Sequence, residues 1–242
     1  MEIIGALIAG SAIGAVLGFI GAGGAMVSVP ILTKLFDFPI HQATIAALPI
    51  VFSAALAGLY GRIRRSEVLF KAALTISGIG LITNVAGARL SQSWPEIIIK
   101  IGFALILISA GISMVQKHNY QAEKELGTPV LIFLALVIGS FTGIFGVGGG
   151  FLAIPVLVRG FQIPLSKAAG TSLLIISLNS LVALFAHIDK WGAIPWHIPI
   201  LMSISAVLVA IIAGHQVAKI SSEILRKSFA FLLFAIAIFT LF

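Results

Sequence analysis

Two stretches of this sequence combine residue types and spacing that could handle a charged solute. One is Gly21-Ala22-Gly23-Gly24-Ala25, and the other, 125 positions on (21 to 146), is Gly146-Val147-Gly148-Gly149-Gly150. Each interrupts an apolar run, and each is followed by a short apolar run with proline at the same place, Pro30 and Pro155. In hydrocarbon such a break frees backbone N–H and C=O groups, which cost several kcal/mol each unless partnered. A helix restarting after the break also offers the positive end of its dipole, about half a charge. Glycine lets an oxyanion come close to those amides. Two such ends brought together would hold an anion with roughly one full positive charge and no lysine or arginine. The glycines assigned to this cradle are Gly21, Gly23, Gly24, Gly146, Gly148, Gly149 and Gly150.

Side chains that could complete the site are few. Thr171, Ser172 and Asn179 fall in the apolar span after the second break, and Asn84 and Gln216 fall in the third spans of the first and second halves. The first-half counterparts of Thr171 and Ser172 are Ala46 and Ala47, which makes the expected site asymmetric. A hydroxyl that bonds back to its own helix is the competing role for Thr171 and Ser172. Interhelical hydrogen bonding competes for Asn84, Asn179 and Gln216. His215 could titrate and is a candidate for proton coupling, with a packing role as the alternative. His187, Trp191, Trp196 and His197 gather at segment ends, where an aromatic belt explains them.

Other chemistry is poorly supplied. All eight carboxylates fall at segment ends or in connections, whereas cation carriers usually need one in the membrane core. There is no cysteine, so thiolate metal sites and thiol nucleophiles are excluded. A dinucleotide loop would need a third glycine at Met26 or Phe151, and no P-loop lysine, H-E-x-x-H or G-x-S-x-G is present. No catalytic residue, metal or cofactor is assigned, and the chain does not read as an enzyme.

The elements that must position these residues are membrane spans. Of 242 residues, 60% are apolar and 10% charged, well below the roughly 25% charge usual in soluble domains. The fifteen basic residues, which give a net charge of +7, are scattered through the connections, so they set topology and meet anionic lipid rather than nucleic acid. The start, Met1-Glu2-Ile3, has no basic n-region, so the first apolar segment is expected to stay in the protein.

Apolar segments run over 3–20, 25–36, 42–60, 68–90 and 96–116, then 129–145, 151–161, 167–186, 197–218 and 223–242. The interval 117–127, KHNYQAEKELG, is the one sizeable polar stretch and separates a first repeat, 1–116, from a second, 128–242. At the same offset of 125, Gly14 matches Gly139, Gly18 matches Gly143, Pro39 matches Pro164 and Ala43 matches Ala168.

If every longer segment crosses, the halves are parallel and Lys plus Arg divide almost evenly between the two faces. If each broken unit is a re-entrant hairpin, the halves are inverted. Lys34, Arg89, Lys100 and Lys190 then lie on one face and the other eleven basic residues on the opposite one. The positive-inside rule favours the second arrangement, with both termini outside. Against it, the 16 to 18 residues before each break make roughly 25 Å of helix at ~1.5 Å per residue, nearly a crossing. The expected fold is thus an all-α polytopic membrane protein of two homologous halves, each a Gly-broken re-entrant unit plus three transmembrane helices, with the inverted repeat favoured over the parallel one.

At these residues the sequence resembles the sulfite exporter TauE/SafE family, also called the toluene sulfonate uptake permease family. The likeness rests on two copies of G-x-G-G-(G/A)-x(4)-P, GAGGAMVSVP and GVGGGFLAIP. Pro39 to Ala43 follows the first copy, and Pro164, Ala168, Thr171 and Ser172 follow the second. It covers nearly the whole chain. Ala46-Ala47 departs from a Thr-Ser pair in the first half, and Ala25 stands where the second copy has Gly150. The resemblance implies a bacterial or archaeal inner-membrane permease for sulfur-containing anions such as sulfite, thiosulfate, sulfonates or sulfoacetate. Its expected partners are that small anion and the lipid bilayer, with homo-oligomerisation left open and no nucleic acid. The rival readings are a non-transporting assembly subunit, whose glycine ladders only pack helices, and a cation or metal permease.

Overall fold

The structure is a computed structural model that describes residues 2–91, 94–115, 127–145 and 150–241. Every regular element among the described residues is helical: α1 (Glu2–Ile20), α2 (Gly24–Leu35), α3 (Ile40–Arg64), α4 (Phe70–Ser91), α5 (Glu96–Val115), α6 (Thr128–Phe145), α7 (Gly150–Pro155), α8 (Leu165–Ala186), α9 (His197–Gln216) and α10 (Ser222–Leu241). Beyond Pro155, α7 widens into a π-helical turn, Val156–Gly160. Proline cannot donate to the preceding turn, which is one route to such a widening. Six of these helices are long and apolar enough to cross a membrane. With strings of leucine, isoleucine and phenylalanine left exposed on their outer faces, the molecule is a multi-pass membrane protein.

Small residues set the helix pairs. Gly10, Gly14 and Gly18 share one face of α1, and a Cβ on them would overlap the backbone of Met202 and Ala206 and the Ala213 side chain of α9, respectively. The contacts advance together along both helices, so α1 and α9 run parallel. The same device recurs in α6, where Gly139 sits against Gly80 and Thr83 of α4. Close backbone approach of this kind is how helices gain dispersion contact where lipid removes the hydrophobic drive. The glycine ladder of α1 is therefore spent on α9 of the same chain.

The first broken unit is a hairpin. Gly24 lies against the Leu17 side chain at one end, and a Cβ on Gly5 would sit 3.7 Å from the Phe36 ring at the other. α2 thus folds back antiparallel along α1 and returns the chain to the side it entered from. Phe19 and Gly18 near the C-terminal end of α1 meet Arg62 and Gly58 of α3, so α1 and α3 run the same way. α8 runs opposite to α3, because Gly58 meets Leu173 whereas Arg62 meets Ser166.

The turn that follows α2 recurs 125 residues on (37 to 162). Asp37 and Gln162 both have positive φ, 53° and 60°. Phe38 N–H donates to the Leu32 carbonyl at 3.0 Å, as Ile163 N–H donates to the Leu157 carbonyl at 3.1 Å. Pro39 and Pro164 then cap α3 and α8 with nearly identical backbone angles. Two apolar bodies result. One joins α1 and α3 to α9, the other joins α4, α5, α6, α7 and α10, and α2 and α8 contribute to both.

Candidate anion site

The first break is built by two left-handed glycines, Gly21 at φ 81° and Gly23 at φ 88°. A side chain at Gly21 is refused twice over, by that φ and by Ala169 of α8, whose Cβ and carbonyl oxygen would stand 2.8 Å from an added Cβ. Gly23 is the N-cap of α2 and no side chain caps the helix. Its first internal bond is Val27 N–H to the Gly23 carbonyl, 3.2 Å, so the amides of the first turn are left for a solute or for water. The whole stretch Gly21 to Gly24 is buried.

Of the second break, Gly146, Gly148 and Gly149 lie outside the described residues. Gly150 is buried, and a Cβ there would overlap Ile176 and come within 3.0 Å of Ser172 Oγ. Ser172 donates to the Gly150 carbonyl at 2.7 Å. Gly21 and Gly150 therefore both lie on α8, against Ala169 and against Ser172 and Ile176, positions that share one helical face. Along that face they are separated by about 4–10 Å at ~1.5 Å per residue. Ala22 and Met26 of the first unit share an apolar cluster with Phe151 and Leu152 of the second.

The other expected site residues are dispersed. Thr171 is fully buried, donates to the Lys167 carbonyl at 2.7 Å and accepts from Leu69 N–H at 3.0 Å, so it fastens the start of α4 to α8. Asn179 is half-buried, and its Oδ1 is shielded with no hydrogen-bond partner. Asn84 is half-buried on α4. Gln216 and His215 are exposed at the C-terminal end of α9, where a ring nitrogen of His215 lies 2.8 Å from the Ile211 carbonyl. None of these five lines the cleft described next.

The residue that sequence reasoning assigned to topology alone is Arg62. It is 1% exposed and the largest fully buried side chain among the described residues. Nη2 donates to the Phe19 carbonyl at 3.2 Å, two residues before Gly21, and Nη1 donates to the Ser166 carbonyl at 3.1 Å. Glu67 Oε2 stands 3.5 Å from Nη1 and also 3.3 Å from Arg65 Nε. Arg65 in turn donates from Nη2 to the Gly214 carbonyl at 3.1 Å. The two guanidiniums thus meet carbonyls at the C-terminal ends of α1 and α9, where helix dipoles favour positive charge. Beside Arg62 lies a narrow cleft walled by Phe19, Ile20, Ser166, Ala169 and Phe229. Its floor is the N-terminal turn of α8. A fixed cation at the first break departs from the expectation of a cradle made of amides alone. In helical register Arg62 continues the stripe of Val51, Ala55 and Gly58 on α3, whose burial shows only in the fold.

Crossing helices, an interrupted helix folded back into the core and a buried charge beside the interruption define a polytopic membrane transporter. The sequence profile of the Sulfite exporter TauE/SafE family matches residues 6–240, and the chain belongs to that family. A Bacillus subtilis protein called Probable membrane transporter protein YdhB is 26% identical over 68% of this chain and 70% of its own length. A Xylella fastidiosa (strain 9a5c) protein called Probable membrane transporter protein is 23% identical over 96% of this chain and 92% of its own. A third, from Methanocaldococcus jannaschii, is 36% identical over 46% and 43%. No solved structure matches the chain. The family is one of permeases and not of enzymes.

Proposed function

We propose that this chain is a secondary permease for small sulfur-containing anions such as sulfite, thiosulfate or organosulfonates, working in a bacterial or archaeal inner membrane. The family description supports the substrate class. The observation that carries the reading is the first break, where two left-handed glycines precede an uncapped helix start that is buried, and an equally buried guanidinium bonds the Phe19 carbonyl two residues before them. Amides, helix dipole and Arg62 together suit an oxyanion. A cation permease fits poorly with a buried arginine in that place.

The chain is read as two inverted halves, 1–116 and 128–242, around the linker 117–127, with both termini outside. Support comes from the repeated turn at 37 and 162, the hairpin of α1 and α2, and the opposed directions of the corresponding helices α3 and α8. Inverted repeats place a solute site at the junction of the halves, and rocking of one body against the other gives alternating access. Gly146, Gly148 and Gly149 then complete the site from the second half.

A thermal-shift panel on the purified protein tests the substrate class, because a ligand selective for the folded state raises its apparent stability. Sulfite, thiosulfate or a sulfonate raises the melting temperature, and sulfate, acetate and divalent metals raise it less. Stabilisation by a metal alone, or by acetate as strongly as by any sulfur anion, overturns the reading.

A further inference from the structure

We propose that Arg62 is the cationic ligand of the transported anion and that Glu67 is an internal substitute which the arriving anion displaces. The inference rests on the permease reading above and adds to it a residue pair and an order of events.

Arg62 carries five N–H donors, and three are accounted for. Two go to the Phe19 and Ser166 carbonyls, and the third faces Glu67 at 3.5 Å, the outer limit for a hydrogen bond. Nε is buried with no partner at all. A buried guanidinium with an empty N–H is costly unless something else occupies it. The carboxylate of Glu67 is also shared, since Arg65 claims the same oxygen. Two guanidiniums against one carboxylate leave the group with one positive charge in excess. The excess sits where the N-terminal turn of α8, through Leu165 and Ser166, forms a wall of the cleft.

The cleft in this conformation is closed, its interior no wider than about one water molecule. An oxyanion enters only as the contacts around Arg62 part. The longest of them is the 3.5 Å contact to Glu67, whose side chain is 20% exposed. Bidentate pairing to a small oxyanion is stronger than a single stretched contact to a shared carboxylate. Release of Glu67 also takes the carboxylate away from Arg65 Nε, while Arg65 Nη2 keeps its bond to the Gly214 carbonyl of α9.

Sulfite and thiosulfate binding to the purified full chain is measured by titration calorimetry for the wild type, Glu67→Gln, Arg62→Gln and Arg62→Lys. Removing the competitor tightens binding, with Kd about tenfold lower in Glu67→Gln, while the ligand-free variant melts earlier. Arg62→Gln loses saturable binding, and Arg62→Lys retains part of it. Should Arg62→Gln fail to fold, Glu67→Gln decides the matter. A purely structural ion pair lowers stability in Glu67→Gln and leaves Kd unchanged or weaker, which overturns this proposal and leaves the permease reading standing. Absence of binding by the wild type overturns both.

Discussion

Ser172 Oγ donates to the Gly150 carbonyl at 2.7 Å and thereby fixes the start of the helix after the second break to the middle of α8. Both groups are buried. Ser172→Ala removes a buried hydrogen bond and costs about 1 kcal/mol. The melting temperature in detergent falls by a few degrees, while Ser177→Ala, whose hydroxyl bonds only to its own helix at Leu174, changes it less.

The helix pairs give a contrast between two glycines. Gly14→Leu drives a side chain into the backbone of Ala206 and parts α1 from α9, so the folded fraction on size-exclusion chromatography collapses. Gly78 lies exposed within α4 with nothing within 4 Å of an added Cβ. Gly78→Ala is neutral or stabilises by roughly 0.5–1 kcal/mol through helix propensity. Equal effects at the two sites would contradict the packing described.

At the first break the backbone angle, more than space, sets the demand. Gly23 has φ 88°, and the nearest obstacle to a Cβ is the flexible end of Leu232 at 3.0 Å. Asparagine tolerates the left-handed region and valine does not. Gly23→Asn therefore keeps more stability and more transport than Gly23→Val. The order is read by thermal melts and flux on the same preparations.

The absence of native cysteine makes single-cysteine labelling clean. The hairpin of α1 and α2 brings Glu2 and Asp37, both exposed, to one face. Ser66 and Lys219, at the other ends of α3 and α9, lie on the opposite one. A membrane-impermeant maleimide added to intact cells labels cysteine at Glu2 and Asp37 together and spares Ser66 and Lys219. Labelling of Glu2 and Ser66 together, with Asp37 spared, contradicts the re-entrant plan.

Much of this architecture was legible along the chain because it is local. Apolar length marks a span, and a glycine cluster followed by proline marks a break, so the segments at 42–60, 167–186 and 197–218 lie within α3, α8 and α9 or their flanking turn. The doubled turn was foreshadowed by Pro39 and Pro164. Arg62 was not legible in the same way, since its partners Phe19, Ser166 and Glu67 come from three elements and its neighbours Arg64 and Arg65 look alike in sequence. Thr171 and Ser172, read as candidates to complete the site, are buried, and each already has a partner within the protein. Hydroxyls advertise polarity in an apolar span, and the sequence does not say what satisfies them.

The central claim, that sulfur-containing anions pass through the junction beside the first break, is tested most directly by uptake of radiolabelled sulfite into proteoliposomes holding the purified chain. The account predicts saturable uptake that unlabelled thiosulfate or sulfonate suppresses and that Gly23→Val abolishes while the protein remains inserted. Uptake no faster than in protein-free liposomes for every sulfur anion tried, or equal uptake by wild type and Gly23→Val, would contradict it.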